Sequence, residues 1–178
     1  MKKFLLFLFC ISTLLSCDNS ESAFDEELRH GYVLLIQAMY GNAFVYDEIK
    51  GTWHKAIYDN ESPSGKYCDD FNVAIGEIVD SLDAYDLRNE TKRYSDSLLM
   101  VASHLNSPPS SRKDCYDDFV SIVSDVSKLT RSALYPSGSL QEYRDKNGEL
   151  FDTIAAKLDK FKIKYGTLLP QTEDNKIE

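Results

Sequence analysis

The sequence predicts an all-α protein, folded as an antiparallel up-down bundle of four helices whose second helix is kinked or broken near residues 86–89. Apolar residues recur at steps of three and four along four long segments, which is the repeat of a helix with one buried face. Short segments rich in Pro, Gly, Asn and Ser separate them, and no segment alternates with the two-residue period of a strand. We therefore expect residues 24–169 to form one helical domain.

The first helix is long and carries one continuous apolar stripe. Three glycines each lower its stability by roughly 1 kcal/mol relative to Ala, but they leave the repeat in phase. The helix is expected to end before the loop at residues 60–65. Its apolar positions are Phe24, Leu28, Tyr32, Leu35, Met39, Ala43, Tyr46, Ile49, Trp53 and Ile57.

Two stripes that do not join in phase make up the second helical region. It is expected to start near Lys66, and its stripes meet where Tyr85 is followed by Leu87, a step of only two residues. This slip predicts a kink or a break at residues 86–89, where Asp86 or Asn89 could cap a new helix. The prolines at 108 and 109 end the region.

The last two helices have clear boundaries. The third opens at Ser110 or Ser111 and stops at residues 135–138, while the fourth opens with a capping box formed by Ser139 and Glu142. Residues 170–178 are polar and charged, so we expect a disordered tail. The apolar stripes predict that the buried side chains include Leu98, Phe119, Ile122, Ile154 and Leu158.

The start of the chain has the parts of a secretory signal. Lys2 and Lys3 precede an apolar run at residues 4–15, which is shorter than the roughly 20 residues that span a bilayer. The run ends in Leu14, Leu15, Ser16 and Cys17, which resembles the lipobox of bacterial lipoproteins. That resemblance implies a signal peptide at residues 1–16, cleavage between Ser16 and Cys17, and lipid on Cys17. Residues 17–23 then provide the lipidated cysteine and a polar tether.

Removal of residues 1–16 takes away two lysines and lowers the net charge from −9 to −11. Such an acidic domain repels nucleic acid and anionic headgroups, so we expect neither nucleic-acid binding nor a polybasic membrane patch. The expected contact with the membrane is the lipid on Cys17, since two or more acyl chains anchor a protein stably. The domain would then face outside the cytoplasm, in the periplasm or at the cell surface.

The mature chain keeps two cysteines, Cys68 and Cys115. A second helix that is only kinked would hold them roughly tens of ångströms apart, whereas a disulfide needs Cα atoms about 4.4–6.8 Å apart. A sharp reversal at residues 86–89 would let them meet. Because that segment lacks Gly and Pro, we expect a kink and two buried free thiols.

A wider resemblance concerns turns and core positions of the mature chain. It is carried by the runs WHKAIY at 53–58, DFN at 70–72, NSPP at 106–109 and PSGSLQ at 136–141. These are similar to runs in small, uncharacterised helical lipoproteins of bacteria. The resemblance implies a helical bundle behind a lipid anchor and carries no activity with it.

Chemistry-bearing residues are few, and each has a structural explanation. Glu27 and His30 have the Glu-x-x-His spacing of di-iron bundles, but the sequence lacks the second copy that such a site needs. The acidic pairs at 69–70 and 117–118 suit helix starts, where carboxylates complement the helix dipole. Aspartates flank both cysteines and disfavour the thiolate. We therefore expect no enzyme activity, no cofactor and no metal.

Two functions from different classes follow from this pattern. The first is a non-enzymatic interaction module on the membrane that binds another envelope or extracellular protein, for example in protection against a toxin or a phage. The alternative is a binding protein for a small apolar or aromatic ligand, held between helices by Tyr32, Tyr46, Trp53 and Tyr143. An apolar cavity of ligand size would favour the ligand, and a solid core with an exposed apolar patch would favour the partner.

Overall fold

The computed structural model describes the backbone of residues 2–170 and the side chains of residues 20–170, and this part of the chain is helical with no strand. The predictions for residues 171–178 lie outside it. The side chains of Ser16 and Cys17, on which the predicted anchor depends, also lie outside the described set. The α-helices are α1 (Lys2–Tyr58), α2 (Phe71–Ala84), α3 (Leu87–His104), α4 (Lys113–Leu134) and α5 (Leu140–Tyr165), with 3₁₀ turns at Ser110–Arg112 and Gly166–Leu168.

Helix α1 starts earlier than the predicted helix, since its backbone is helical through the segments assigned to the signal and the tether. Within the tether, Glu21 accepts a hydrogen bond from Ser111 Oγ at 2.6 Å. One turn later, Arg112 donates two hydrogen bonds to the Asp25 carboxylate at 2.8 and 2.9 Å. These contacts join residues 21–25 of α1 to the 3₁₀ turn at Ser110–Arg112, which directly precedes α4.

The predicted second helix is divided in two, so the structure has five α-helices in the described part of the chain where the sequence predicted four. The division falls at Tyr85 and Asp86, and Asp86 has a left-handed backbone with φ of 59°. Arg88 spans the break by donating to Asp83 and to the Leu134 carbonyl, both at 2.7 Å. The predicted break near residues 86–89 is therefore confirmed, and it lies at residues 85–86.

Contacts along α1 show that α2 and α3 follow one another in the same direction. Phe71, at the start of α2, stacks on Trp53 with ring centroids 6.0 Å apart. Further along, Thr91 approaches Gly41, and Val101 approaches Gly31. Both helices thus run antiparallel to α1 on one side of it, as a kinked path and not as a hairpin.

Helices α4 and α5 complete the bundle. Since Arg112 contacts Asp25 and Asn42 donates to Thr130 at 2.9 Å, α4 runs parallel to α1, while α5 returns and brings the Leu168 carbonyl to Arg29 Nε at 3.0 Å. The capping box at Ser139 and Glu142 is present as predicted.

The core is divided into two main clusters. The larger lies around Leu28, Leu35 and Phe119, and the smaller is the aromatic cluster around Trp53 and Tyr143. On each of α1, α4 and α5, a buried polar residue falls in the sequence between the residues of the two clusters: Asn42, Thr130 and Asn147. All five side chains that the sequence predicted to be buried are buried: Leu98, Phe119, Ile122, Ile154 and Leu158.

Candidate functional site

Three of the four side chains predicted to hold a ligand do come together. The ring centroid of Tyr143 lies 5.5 Å from that of Tyr46 and 5.7 Å from that of Trp53. Trp53 and Tyr143 keep only 3% and 2% of their surface exposed. The fourth residue, Tyr32, packs against the other core cluster. The rings therefore contact one another in the place where a ligand was predicted to lie.

The Tyr143 hydroxyl is also occupied by an internal partner. It donates a hydrogen bond to the Ala133 carbonyl at 3.0 Å, which ties α5 to the last turn of α4. Burial raises the pKa of the Tyr143 phenol well above its usual range, because the charged phenolate is poorly solvated there. This hydroxyl is therefore a structural donor.

Next to these rings lies an open surface groove of about 600 Å³. Of the predicted ligand-holding residues, Tyr46 alone is among those that line it, and its other walls are mostly charged. An aromatic ligand in this groove would contact water and cations and not the buried rings. The lining side chains include Lys50, His54, Lys55, Asp59 and Arg144.

A second apolar surface lies on α1 and is formed by side chains that do not belong to the buried stripe. Val33, Tyr40 and Phe44 are 44%, 75% and 48% exposed, and exposed Gln37 lies between them in the same series. The steps of four, three and four residues place these side chains along one side of the helix. We call these four residues the outer face of α1.

Charged or titratable residues lie at both ends of the outer face. Arg29 and His30 precede it by one turn, and Asp47 and Glu48 follow it by one turn. Arg29 uses its Nε to donate to the Leu168 carbonyl, and Asp47 pairs with Lys50. His30 and Glu48 form no ion pair within the described part of the chain.

Sequence reasoning missed the outer face because it followed one stripe only. On α1 the apolar residues cover more of the circumference than the four neighbouring helices α2, α3, α4 and α5 bury. The signal that was present is the second series at 33, 40 and 44, with a period of three to four residues but a different phase.

The acidic pairs have different roles. Asp70 caps α2 by accepting from the Asn72 backbone N–H at 2.9 Å, which confirms the predicted cap for that residue. Asp118 instead accepts from Lys164 at 3.0 Å and from Tyr165 at 2.9 Å on α5. Burial opposes its ionisation, but these hydrogen bonds outweigh burial and hold the pKa of Asp118 below its usual value. Asp118 thus joins two helices and is not a cap.

Cys68 and Cys115, the cysteines among the described side chains, are free thiols in separate parts of the core. Cys68 lies in a small cluster with Ala56 and Ala74, whereas Cys115 lies in the large cluster with Phe119. Burial raises the pKa of the Cys115 thiol to about 12, so the thiol is protonated at neutral pH.

Metal ligands do not gather in the part of the chain whose side chains are described. There, no group of three or more His, Cys, Asp and Glu residues is arranged to hold an ion. His104 Nδ1 lies 3.6 Å from Glu27 Oε1, so Glu27 contacts a neighbouring helix. Within the described residues, none of the helices combines the length and the apolar character that crossing a membrane requires.

Comparison of the chain with protein-family models, with curated proteins and with solved structures finds no match.

Proposed function

We propose that this protein is a lipid-anchored interaction module that faces outside the cytoplasm and binds a protein partner through the outer face of α1. The observation that supports this most strongly is the contrast between two sets of apolar side chains. Three of the four rings predicted to hold a ligand pack against one another, whereas Val33, Tyr40 and Phe44 remain exposed on one side of α1.

Exposed apolar residues gathered on one face support partner binding, because water covers them at a free-energy cost that a partner removes. Tyr40 is the natural anchor of such a contact, since tyrosine adds a large apolar area with a polar tip and is enriched at interfaces. The same reasoning makes the ligand-binding alternative weaker, because Trp53 and Tyr143 are already covered by other rings.

The anchor is proposed from sequence: the lysines at 2 and 3, the apolar run, and Ser16 before Cys17. We take α2 and α3 as one kinked segment, so that the bundle has four up-and-down segments with the start of α1 nearest the membrane. The outer face would then lie on the side of the bundle. A partner in the same membrane, or one outside the cell, can reach the outer face there.

The anchor is tested by labelling cells with a tagged fatty acid. The natural chain should take up the label, and the Cys17→Ala variant should take up none and keep its signal uncut. Label that persists in the variant contradicts the anchor.

Partner binding is tested by placing a photo-crosslinking amino acid at Tyr40 in the full chain, in cells. Tyr85 is the matched control, because it is the same residue type with 76% of its surface exposed, and it lies at the break between α2 and α3. We expect a discrete crosslinked product at position 40 and none at position 85. Equal products at the two positions, or none at position 40, would contradict the proposal.

A further inference from the structure

The residues of the outer face of α1 are spaced symmetrically about its midpoint. Val33 lies as far before the point midway between Gln37 and Tyr40 as Phe44 lies after it. A second copy of α1, laid on the first in the opposite direction, therefore places Val33 against Phe44 and Gln37 against Tyr40 of the other copy. The steps of four, three and four residues along the outer face match the repeat with which two helices pack along one seam.

The ends of the outer face follow the same symmetry. Arg29 and Glu48, which carry opposite charges, are equidistant from the midpoint, and so are the flanking residues His30 and Asp47. In the antiparallel arrangement Arg29 of each copy meets Glu48 of the other, so a dimer contains two such contacts. In a parallel arrangement Glu48 would meet Glu48, which repels.

We infer that the partner of the outer face is a second copy of this chain, bound antiparallel about a two-fold axis. The inference rests on the proposed function, since it names the partner of the same surface. A two-fold interface uses one patch on both chains, which must be complementary to itself. The apolar centre and the inverted charged ends meet that requirement, although a single helix pair gives a small and therefore weak interface.

The antiparallel arrangement has a geometric consequence for anchored chains. Residue 20 of one copy is level with residue 57 of the other, so residues 20 of the two copies are about 55 Å apart along the helix axis, at about 1.5 Å per residue. With lipid on Cys17 of both chains, pairing therefore joins two facing membrane surfaces. Many weak pairs acting together would supply avidity that one pair lacks.

Disulfide trapping distinguishes the two directions of pairing. The variants Val33→Cys and Phe44→Cys are made separately in the full chain, purified in detergent, and oxidised alone or as a mixture. Antiparallel pairing predicts a crosslinked dimer in the mixture only, since residues 33 of the two chains are then about 16 Å apart, beyond the reach of a disulfide. The unsubstituted chain, treated identically, corrects for crosslinks through its own cysteines.

Charge-reversal variants test the same pairing by a second measurement, in chains to which no cysteine has been added. Arg29→Glu and Glu48→Arg should each weaken the dimer by about threefold to tenfold in sedimentation equilibrium, because each creates two repulsive contacts. The double variant should recover the original dimer, and circular dichroism should show the same helix content throughout.

The other outcomes separate this inference from the proposed function. Crosslinks in each single variant oxidised alone, with no 33–44 crosslink added in the mixture, would overturn antiparallel pairing. A product at Tyr40 that contains a different protein, without a disulfide between positions 33 and 44, would overturn self-pairing and leave the proposed function standing. No product in either experiment would overturn both.

Discussion

The two sides of α1 carry similar side chains in opposite environments. On one side Trp53 is covered by Tyr143 and Phe71, and on the other Tyr40 keeps three quarters of its surface in water. Residue type therefore does not decide burial on this helix, since aromatic residues occur on both sides. The neighbouring helices decide it, because they cover only part of the circumference of α1. An apolar side chain that they leave uncovered is available to a partner.

The largest expected contrast is in stability. Trp53→Ala should lower the free energy of unfolding by ~3–5 kcal/mol, because it leaves a cavity among the rings of the aromatic cluster. Tyr40→Ala should change it by no more than ~0.5 kcal/mol, as expected for an exposed residue without specific contacts. Urea denaturation followed by circular dichroism measures both. Equal costs at the two positions would mean that the two sides of α1 are wrongly assigned.

Two glycines of α1 should respond with opposite signs to the same substitution. A methyl group at Gly31 would lie 2.8 Å from both Phe119 Cζ and Val101 Cγ1, so Gly31→Ala should cost ~1–3 kcal/mol through overpacking. At Gly51 nothing lies within 4 Å of that position, so Gly51→Ala should stabilise the helix by up to ~1 kcal/mol. Thermal unfolding of the two variants side by side checks the signs. Stabilisation by both would indicate that α3 and α4 do not approach Gly31.

A smaller effect distinguishes the buried hydroxyl of Tyr143 from the exposed one of Tyr40. Tyr143→Phe removes the bond to the Ala133 carbonyl and should cost ~0.5–1.5 kcal/mol near neutral pH. Burial raises the pKa of Tyr143, so the folded state keeps a proton that the unfolded state loses. The stability of the natural chain should therefore fall as the pH rises above about 10, the ordinary tyrosine pKa, and the variant should lose less.

Tyr40→Phe is the control for this pair, since its hydroxyl is exposed. Tyr40→Phe should leave the free energy of unfolding unchanged within ~0.5 kcal/mol, both near neutral pH and above about pH 10. If the variants at 40 and 143 have the same pH dependence, the Tyr143 hydroxyl is not buried as described.

Much of the fold could be predicted because it depends on local patterns. The break after Tyr85 follows from a phase slip of the apolar stripe, and the cap at Ser139 from a four-residue motif. The start of α1 was missed because residues 18–23 have no apolar repeat, although the helix continues through them. Their contacts with Ser111 and Arg112 are long-range pairings, which no local pattern contains.

The candidate site could be predicted only in part, for a related reason. Periodicity identified Trp53, Tyr46 and Tyr143 as inward residues, but not that their rings would fill the space between them. The filling of that space depends also on Phe71 of α2 and Phe151 of α5, which pack against Trp53 and Tyr46 of α1. The phase of α1 was also slightly wrong, because its buried positions include Ala38, Asn42 and Val45, whereas Met39, Ala43 and Tyr46 are half-buried.

The central claim is that a partner covers the outer face of α1, and hydroxyl-radical footprinting tests it most directly. Tyr40 and Tyr85 are equally exposed in the single chain, so the purified protein at high dilution should be oxidised equally at both positions. In intact cells that make the natural chain, Tyr40 should be protected several-fold relative to Tyr85. An unchanged ratio of oxidation between dilute protein and cells would contradict the claim.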